Sequence, residues 1–261
     1  TANTSSIVSN YPITISQNTL ASDNYSLSFV SSTLSVAKAT LNVVALDTPR
    51  AYGGSNPVFK VRYDGFIAGQ TLATSDVSGS PTITTIANTA SPAGFYDIVP
   101  SQSGTLYSNN YSFNFVKGTL TINKLNLIVA AQAKTRIYGA PDTGFAVTYT
   151  GFVNGQNSSV LTGSPSMNSL ADQYSAVGPY AITADSGTLI AQNYQFRMVD
   201  GILTVGKAVI TVTADNKSRV YGEANPAFTA TYSGFVNGET LSSSGVAGMW
   251  SAVQQFTIYQ P

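Results

Sequence analysis

The chain has 261 residues, of which 43% are hydrophobic and only 9% charged, and its 12 basic and 12 acidic side chains cancel. This length suits two or three domains, and the charge balance gives no electrostatic reason to expect nucleic acid or an anionic membrane as a partner. The sequence contains no cysteine and no histidine. Disulfides, thiolate metal sites and histidine-based catalysis are therefore excluded. No apolar run approaches the ~20 residues of a membrane-spanning helix.

The first 38 residues resemble the second half of a unit that occurs again later. Residues 24–30 read NYSLSFV and residues 33–38 read TLSVAK. The corresponding stretches are NYSFNFV and TLTINK at 110–116 and 119–124, and NYQFRMV and ILTVGK at 193–199 and 202–207. Such internal repetition has to be settled before any residue receives a chemical role.

A second landmark marks the first half of the unit and occurs three times. A Tyr-Gly pair is followed by a Gly-Phe pair at the same distance: Tyr52-Gly53 and Gly65-Phe66, Tyr138-Gly139 and Gly151-Phe152, Tyr221-Gly222 and Gly234-Phe235. The spacing predicts four segments. We name them the head segment (1–38), the first repeat (39–124), the second repeat (125–207) and the tail segment (208–261). The pattern fades after Gly248, where Met249-Trp250 has no counterpart.

Apolar residues within each unit alternate with polar ones, which predicts strands with one inward face. The expected inward positions are Leu41, Val43, Ala45, Leu127, Val129, Ala131, Ile210, Val212 and Ala214, and then Phe59, Val61, Tyr63, Phe145, Val147, Tyr149, Phe228, Ala230 and Tyr232. No window shows sustained helical periodicity, so the chain is predicted to be all-β. A two-sheet sandwich is the expected repeat, and a β-grasp-like sheet with one short helix near Asn157 is the alternative.

Glycines place the turns of each unit. Tyr-Gly is predicted to form a turn between the first two strands, and the Gly-Phe-x-x-Gly stretch a second turn, because glycine adopts positive φ at little cost. Residues 121–127, TINKLNL, pass from one repeat to the next without a flexible spacer. Such a boundary limits bending, so the predicted molecule is an elongated, stiff rod of repeats.

The combination of Tyr-Gly-x-x-Asn-Pro, Tyr-x-Gly-Phe-x-x-Gly, Asn-Tyr-x-Phe and Gly-x-Leu-Thr-(Ile/Val)-x-Lys resembles the mostly-beta, glycine-rich (MBG) repeat domain in its Tyr-Gly-x form. The resemblance covers residues 1 to 247, with Pro141-Asp142 as a departure from Asn-Pro. It implies a tandem stalk unit of a large secreted bacterial surface protein, such as an adhesin. That role is extracellular and non-enzymatic, with no catalytic residues, no cofactor and no metal.

Two basic positions recur with the repeat and have alternative interpretations. Arg50, Arg136 and Arg219 precede Tyr-Gly by two residues. They could form a periodic row for an anionic glycan, but a turn-supporting role, in which the arginine stacks on tyrosine or caps carbonyls, is favoured. Lys38, Lys124 and Lys207 lie at the boundaries. An isopeptide crosslink would need a buried lysine beside an asparagine and a carboxylate, and no Asp or Glu recurs in step with these lysines, so polar junction residues are expected.

Acidic residues and unmatched tyrosines complete the set of candidates. A calcium site in each repeat requires several acidic ligands at equivalent places, whereas the acidic residues occupy non-equivalent ones: Asp47, Asp142, Asp185, Asp200 and Glu223. The same scatter argues against a paired-carboxylate hydrolase. Tyr107 and Tyr174 have no counterparts in other units and are the weak candidates for exposed contacts.

Three functions remain open at this point. The leading hypothesis is a structural spacer that projects a binding tip from the cell, with any glycan or protein ligand bound elsewhere in the parent protein. The second is a subunit of a filament or sheath in which the head and tail segments of identical chains complement each other by strand addition. The third is direct glycan or protein binding by the repeats.

Overall fold

A computed structural model describes residues 2–252 of the chain. Eighteen strands and one short 3₁₀ turn account for the regular structure of these residues, so the all-β prediction is confirmed. The chain forms two compact units. Unit 1 extends to Leu125 and includes Gln192–Gln195; unit 2 comprises Asn126–Ala191 and the chain from Phe196 onward.

Unit 1 contains a two-stranded sheet from the head segment and two larger sheets from the first repeat. Its strands are β1 Ser9–Ile13, β2 Ser32–Val36, β3 Ala39–Ala45, β4 Thr48–Ala51, β5 Val61–Asp64, β6 Thr82–Thr84, β7 Gly94–Ser101, β8 Tyr111–Val116 and β9 Gly118–Asn123. The sheet orders are β1-β2, β5-β3-β8 and β4-β9-β7-β6. In the first repeat, β3 is parallel to β8 and β4 is parallel to β9.

The second repeat has the same strand orders as the first. Its strands, and those of the tail segment, are β10 Leu125–Ala131, β11 Lys134–Ile137, β12 Val147–Thr150, β13 Ser166–Asn168, β14 Gly178–Asp185, β15 Tyr194–Val199, β16 Gly201–Gly206, β17 Thr211–Ala214 and β18 Ala230–Ser233. The sheet orders are β12-β10-β15, β11-β16-β14-β13 and β17-β18. Two sheets per repeat is the arrangement that the sandwich prediction requires.

The inward positions of both repeats form the cores. In unit 1, Leu41 and Val43 pack with Val77, Leu106 and Tyr111. A cluster in unit 2 contains Ala131, Ala171, Ile182, Ala184, Leu203 and Val205. The alternating positions that begin at Phe59 and at Phe145 are half-buried, and the residues between them are exposed. The period-two prediction is therefore confirmed for both repeats.

In the tail segment the same prediction holds for the second strand, where Phe228, Ala230 and Tyr232 are half-buried, but fails for the first. Val212 is half-exposed and Ala214 exposed, although Val43 and Val129, at the positions equivalent to Val212, are fully buried. Among the described residues β17 pairs with β18 alone. In the repeats, by contrast, β3 also pairs with β8 and β10 with β15.

The Tyr-Gly turn lies between the two predicted strands of each repeat, but it does not connect them directly. A short strand intervenes, β4 in the first repeat and β11 in the second, and Tyr-Gly follows it. The positive φ values are as expected, with Gly53 at 79° and Gly139 at 83°.

The helix expected near Asn157 is a 3₁₀ turn of three residues, Ser158–Val160. Asn157 is its N-cap, since its side chain accepts a hydrogen bond from the Ser159 N–H. The helix of a β-grasp fold crosses its sheet, and this turn is too short to do so. Across residues 2–252 no helix has the length and apolar character that a membrane span needs.

Candidate functional site

Within residues 2–252 no group of three or more His, Cys, Asp or Glu side chains could hold a metal ion. Four of the acidic candidates, Asp47, Asp142, Asp185 and Asp200, have local structural partners. The Asp200 carboxylate accepts the Ala184 N–H, and that of Asp47 accepts the Thr119 N–H. Their contacts are those of loop-supporting side chains.

The recurrent arginine caps backbone carbonyls in the first repeat. Arg50 is buried and donates to the carbonyls of Ala51 and Asn88, at 3.1 and 2.6 Å. Its Nε donates to Oδ1 of Asn56 at 2.8 Å, and the Asn56 amide donates to the carbonyl of Ala87. The guanidinium therefore ties the chain after β4 to the loop between β6 and β7.

Arg136 has the same role in the second repeat. It is buried, donates to the carbonyls of Ile137 and Asp172, and pairs with Asp142, whose Oδ1 lies 3.1 Å from Nε without hydrogen-bond alignment. The turn-supporting interpretation is thus confirmed. A continuous row for an anionic glycan is wrong, because two of its three arginines are buried; Arg219 is exposed.

All three boundary lysines are exposed: Lys38, Lys124 and Lys207. Nζ of Lys38 donates to the carbonyl of Ser108 at 2.8 Å and lies 6.0 Å from the centre of the Tyr107 ring. An isopeptide bond needs a buried lysine, so these are the contacts of polar junction residues.

The two unmatched tyrosines are exposed, as predicted. Tyr107 donates its hydroxyl to Oδ1 of Asn109 at 2.6 Å, and the Tyr174 N–H donates to Oδ1 of Asp172. Ligand binding by either ring remains a prediction.

The structure brings together a set of residues that the sequence did not single out. In unit 1 the peptide group between Ile7 and Val8 of the head segment is held on both sides. Its carbonyl accepts the hydroxyl of Tyr11 at 2.8 Å, and its N–H donates to Oδ1 of Asn110 at 3.0 Å. Asn110 begins the Asn-Tyr motif of the first repeat, so its side chain links two consecutive segments.

The same arrangement occurs a second time in unit 1. The peptide between Pro92 and Ala93 accepts the hydroxyl of Tyr96 at 3.0 Å and donates to Oδ1 of Asn193 at 3.0 Å. The asparagine belongs to the Asn-Tyr motif of the second repeat. We call this paired arrangement the Asn clasp. Its repetition with the same atoms shows that the Asn-Tyr motif joins successive segments.

A network of hydrogen bonds fixes the Asn-Tyr turn of the first repeat. The Ser108 hydroxyl accepts the N–H groups of Asn110 and Tyr111, and the Asp76 carboxylate accepts from the Ser108 hydroxyl and from the N–H groups of Asn109 and Asn110. Burial raises the pKa of Asp76, but these hydrogen bonds outweigh it and lower the pKa below the usual value.

The tyrosine of the motif fills a slot beside the asparagine. Tyr111 packs edge-on against Phe66 with ring centres 5.6 Å apart, and its hydroxyl donates to Oε1 of Gln70 at 2.5 Å and accepts the Ile67 N–H at 3.2 Å. The Gly-Phe-x-x-Gly turn therefore forms one wall of what we call the tyrosine slot.

The tyrosine of Tyr-Gly contacts the tyrosine of the next Asn-Tyr. Within unit 1 the rings of Tyr52 and Tyr194 meet edge-on with centres 5.7 Å apart. Such a contact adds about 0.5–1.5 kcal/mol to the burial of the rings. Tyr-Gly thus contributes to the junction as well as to the turn.

In unit 2 the Tyr-Gly turn of the second repeat meets the tail segment. The Tyr138 hydroxyl donates to Oε1 of Glu239 at 2.6 Å, which raises the pKa of Tyr138 above its usual value. A Cβ on Gly139 would lie 2.5 Å from Cβ and Cγ2 of Val236. The Asn237 side chain donates to the carbonyl of Gln173 at 3.2 Å.

Sequence reasoning identified the motifs but not their roles. Asparagine stands at all three equivalent positions, 24, 110 and 193, while the residues after Asn-Tyr vary. This constancy could have indicated a role for the asparagine side chain. No repeated pattern pointed to Asp76, because the equivalent residue in the second repeat is Val160.

One comparison with known proteins identifies the repeats. The MBG domain (YGX type) matches the chain over residues 41–121, 127–204 and 210–259. No curated protein and no solved structure matches it. Three successive matches over most of the sequence, together with the Tyr-Gly turns at the junctions, show that the chain belongs to the MBG domain family of the YGX type.

Proposed function

We propose that this chain is a non-enzymatic spacer in a bacterial cell-surface adhesin, where it holds a binding tip away from the cell. The location is extracellular, and the ligand is bound elsewhere in the parent protein. The observation that supports this role is the Asn clasp, formed twice in unit 1 with the same atoms. A spacer transmits position along its length, so it requires defined contacts between neighbouring repeats.

A surface-display experiment tests the spacer role. The chain is placed between a membrane anchor and a terminal epitope, and compared with a version that lacks residues 39–124 and with one in which an unrelated β-repeat of equal length replaces them. We expect deletion to reduce antibody access to the epitope and replacement to restore it. Loss of function with the equal-length replacement would contradict a spacer role and favour direct binding by the repeats.

The second candidate is a self-assembling subunit of an extracellular filament or sheath. Its support is the exposure of residues that the repeats bury. Tyr25 of the head segment is 80% exposed, whereas Tyr111 and Tyr194, its equivalents, are 1% and 2% exposed. Leu34 is exposed while Leu120 is fully buried. Strand addition between copies would cover these surfaces.

A further inference from the structure

Unit 1 has an open groove where β6, at the edge of its sheet, ends beside β7. Its volume of about 540 Å³ lies within the range of about 300–1,000 Å³ that small-molecule sites occupy. The lining includes Thr84, Thr85, Ile86, Phe95, Asp97 and Val99. All of these residues lie inside the complete first repeat. We call this surface the Phe95 groove.

Two apolar side chains line the groove and are largely exposed to solvent. Phe95 is 79% exposed and Ile86 is 88% exposed. Phe95 and Asp97 are alternate residues of β7 and share its outer face, whereas Ile98 on the other face is fully buried in the core. Apolar groups that meet in one groove and take no part in the core are typical of an interaction site.

A charged pair supplies hydrogen-bonding groups next to the ring. Oδ2 of Asp97 accepts a hydrogen bond from Nζ of Lys117 at 2.6 Å, and both side chains are exposed. Their opposite charges cancel, so the groove does not select an ion by net charge. Neither side chain makes another bond to the described residues, which leaves Oδ1 of Asp97 as an acceptor and two donors on the Lys117 ammonium group.

Two threonines add hydroxyl groups at the end of β6. Oγ1 of Thr85 accepts the Ala87 N–H at 3.3 Å, so its own hydroxyl hydrogen can be donated to a ligand. The Thr84 hydroxyl donates to the Val99 carbonyl at the long distance of 3.5 Å and retains its acceptor lone pairs. The groove therefore combines an aromatic ring with several donors and acceptors and has no net charge.

The second repeat contains the same hairpin without these groups. Its strands β13 and β14 correspond to β6 and β7, and a groove of about 300 Å³ lies at the equivalent place in unit 2. Pro179 and Ala181 stand where the first repeat has Phe95 and Asp97, and Asp200 stands at the position of Lys117. The groove thus recurs with the fold, whereas the aromatic ring and the charged pair are specific to the first repeat.

The short edge strand does not favour a peptide as the occupant. Strand addition needs a row of free backbone groups, and β6 has only three residues. A sugar ring fits better, because its C–H face packs against an aromatic ring while its hydroxyls donate to a carboxylate and accept from an ammonium group. The cancelled charge of the pair favours an uncharged sugar over an acidic one.

We infer that the Phe95 groove binds a neutral saccharide. The sugar ring packs on Phe95 beside Ile86. Its hydroxyls bond to the Asp97 carboxylate, the Lys117 ammonium group and the Thr85 hydroxyl. This site is additional to any ligand bound elsewhere in the parent protein, and the spacer role does not depend on it.

NMR titration of the full chain tests the site with four neutral probes, the tetrasaccharides of glucose, galactose, mannose and N-acetylglucosamine. We expect at least one of them to shift the amide signals of Ile86 and of residues 95–97, and to leave those of residues 178–181 unchanged. Unchanged spectra with all four probes would overturn the inference and leave the spacer proposal standing. An equal or larger response to tetragalacturonate, an acidic tetrasaccharide, would overturn the assignment to a neutral ligand.

Substitutions in the groove test the roles of the ring and the carboxylate. Phe95→Ala should weaken binding of the responding probe about tenfold, as truncation of an aromatic anchor does. Asp97→Ala should weaken it about fivefold, because hydrogen bonds to a charged acceptor are lost. Leu170→Ala removes the fully exposed side chain at the position equivalent to Ile86 and is the matched control, with unchanged affinity. Equal affinities in Phe95→Ala and in the unaltered chain would overturn the inference.

Discussion

One asparagine oxygen stabilises each Asn clasp, and its effect should be visible at a single amide. We predict that Asn110→Ala makes exchange of the Val8 amide proton about fivefold faster, because loss of one hydrogen bond costs about 1 kcal/mol. Amide exchange followed by NMR measures this. Asn216→Ala, at an exposed asparagine, is the control. An unchanged Val8 rate in Asn110→Ala would contradict the role of the clasp.

The recurrent arginine should have different effects in different segments. Arg50→Ala leaves buried carbonyls without donors, so we expect it to lower the free energy of unfolding by about 2–4 kcal/mol. Arg219→Ala should change it by less than about 0.5 kcal/mol, because Arg219 is exposed and donates to Val220 alone among the described residues. Denaturant unfolding compares the two. Equal losses of unfolding free energy in the two variants would contradict the prediction that only the buried arginine stabilises the fold by capping carbonyls.

Asp76 should make stability depend on acid. Its pKa is lower in the folded chain than in the unfolded chain, so its contribution is complete above the unfolded value of about 3.9 and is lost as the pH falls through the folded value. We predict that Asp76→Asn flattens the loss of stability below about pH 4. Thermal melts between pH 2 and 6 measure the difference, with Asp185→Asn as the control. Identical acid slopes in all three proteins would contradict the prediction.

At the scale of elements, the alternating strands were predictable and the short strands were not. Leu41 and Val43 follow the period of two that a half-buried strand shows. β4 and β11 point arginine inward at Arg50 and Arg136, so a rule based on apolar residues does not detect them. The burial expected for the first strand of the tail segment failed because, among the described residues, β17 pairs with β18 alone, whereas β3 and β10 each have a second neighbouring strand.

The Tyr-Gly turn offers a test at this scale. Gly139 and Gly222 both have positive φ, but an added Cβ would collide with Val236 at Gly139 and meets no described atom within 4 Å at Gly222. Both alanine substitutions introduce backbone strain, and only Gly139→Ala adds the collision. We therefore expect Gly139→Ala to destabilise unit 2 by at least about 1 kcal/mol more than Gly222→Ala.

A double-mutant cycle with Val236→Ala separates the collision from the strain. Removal of the valine methyl groups should recover much of the extra cost in the Gly139→Ala background and none in the Gly222→Ala background. Denaturant unfolding of the set provides the free energies. Additive effects at Gly139 and Val236 would contradict the contact.

At the scale of the whole molecule, the head and tail segments should open more readily than the repeats. Their equivalents of core residues are exposed, as Leu34 and Val212 are. We expect hydrogen exchange by mass spectrometry to show protection concentrated in residues 39–124 and 125–207, because sub-global opening follows the density of buried contacts. Equal protection in the head segment would contradict this prediction.

The central claim is that Asn clasps hold successive repeats in series, and small-angle X-ray scattering of the dilute chain tests it most directly. A compact chain of 261 residues would have a radius of gyration of about 18 Å. We predict a clearly larger value with a sharply defined maximum dimension, and a broader distance distribution for the Asn110→Ala, Asn193→Ala double variant. A radius near 18 Å, or identical profiles for the two proteins, would contradict the account.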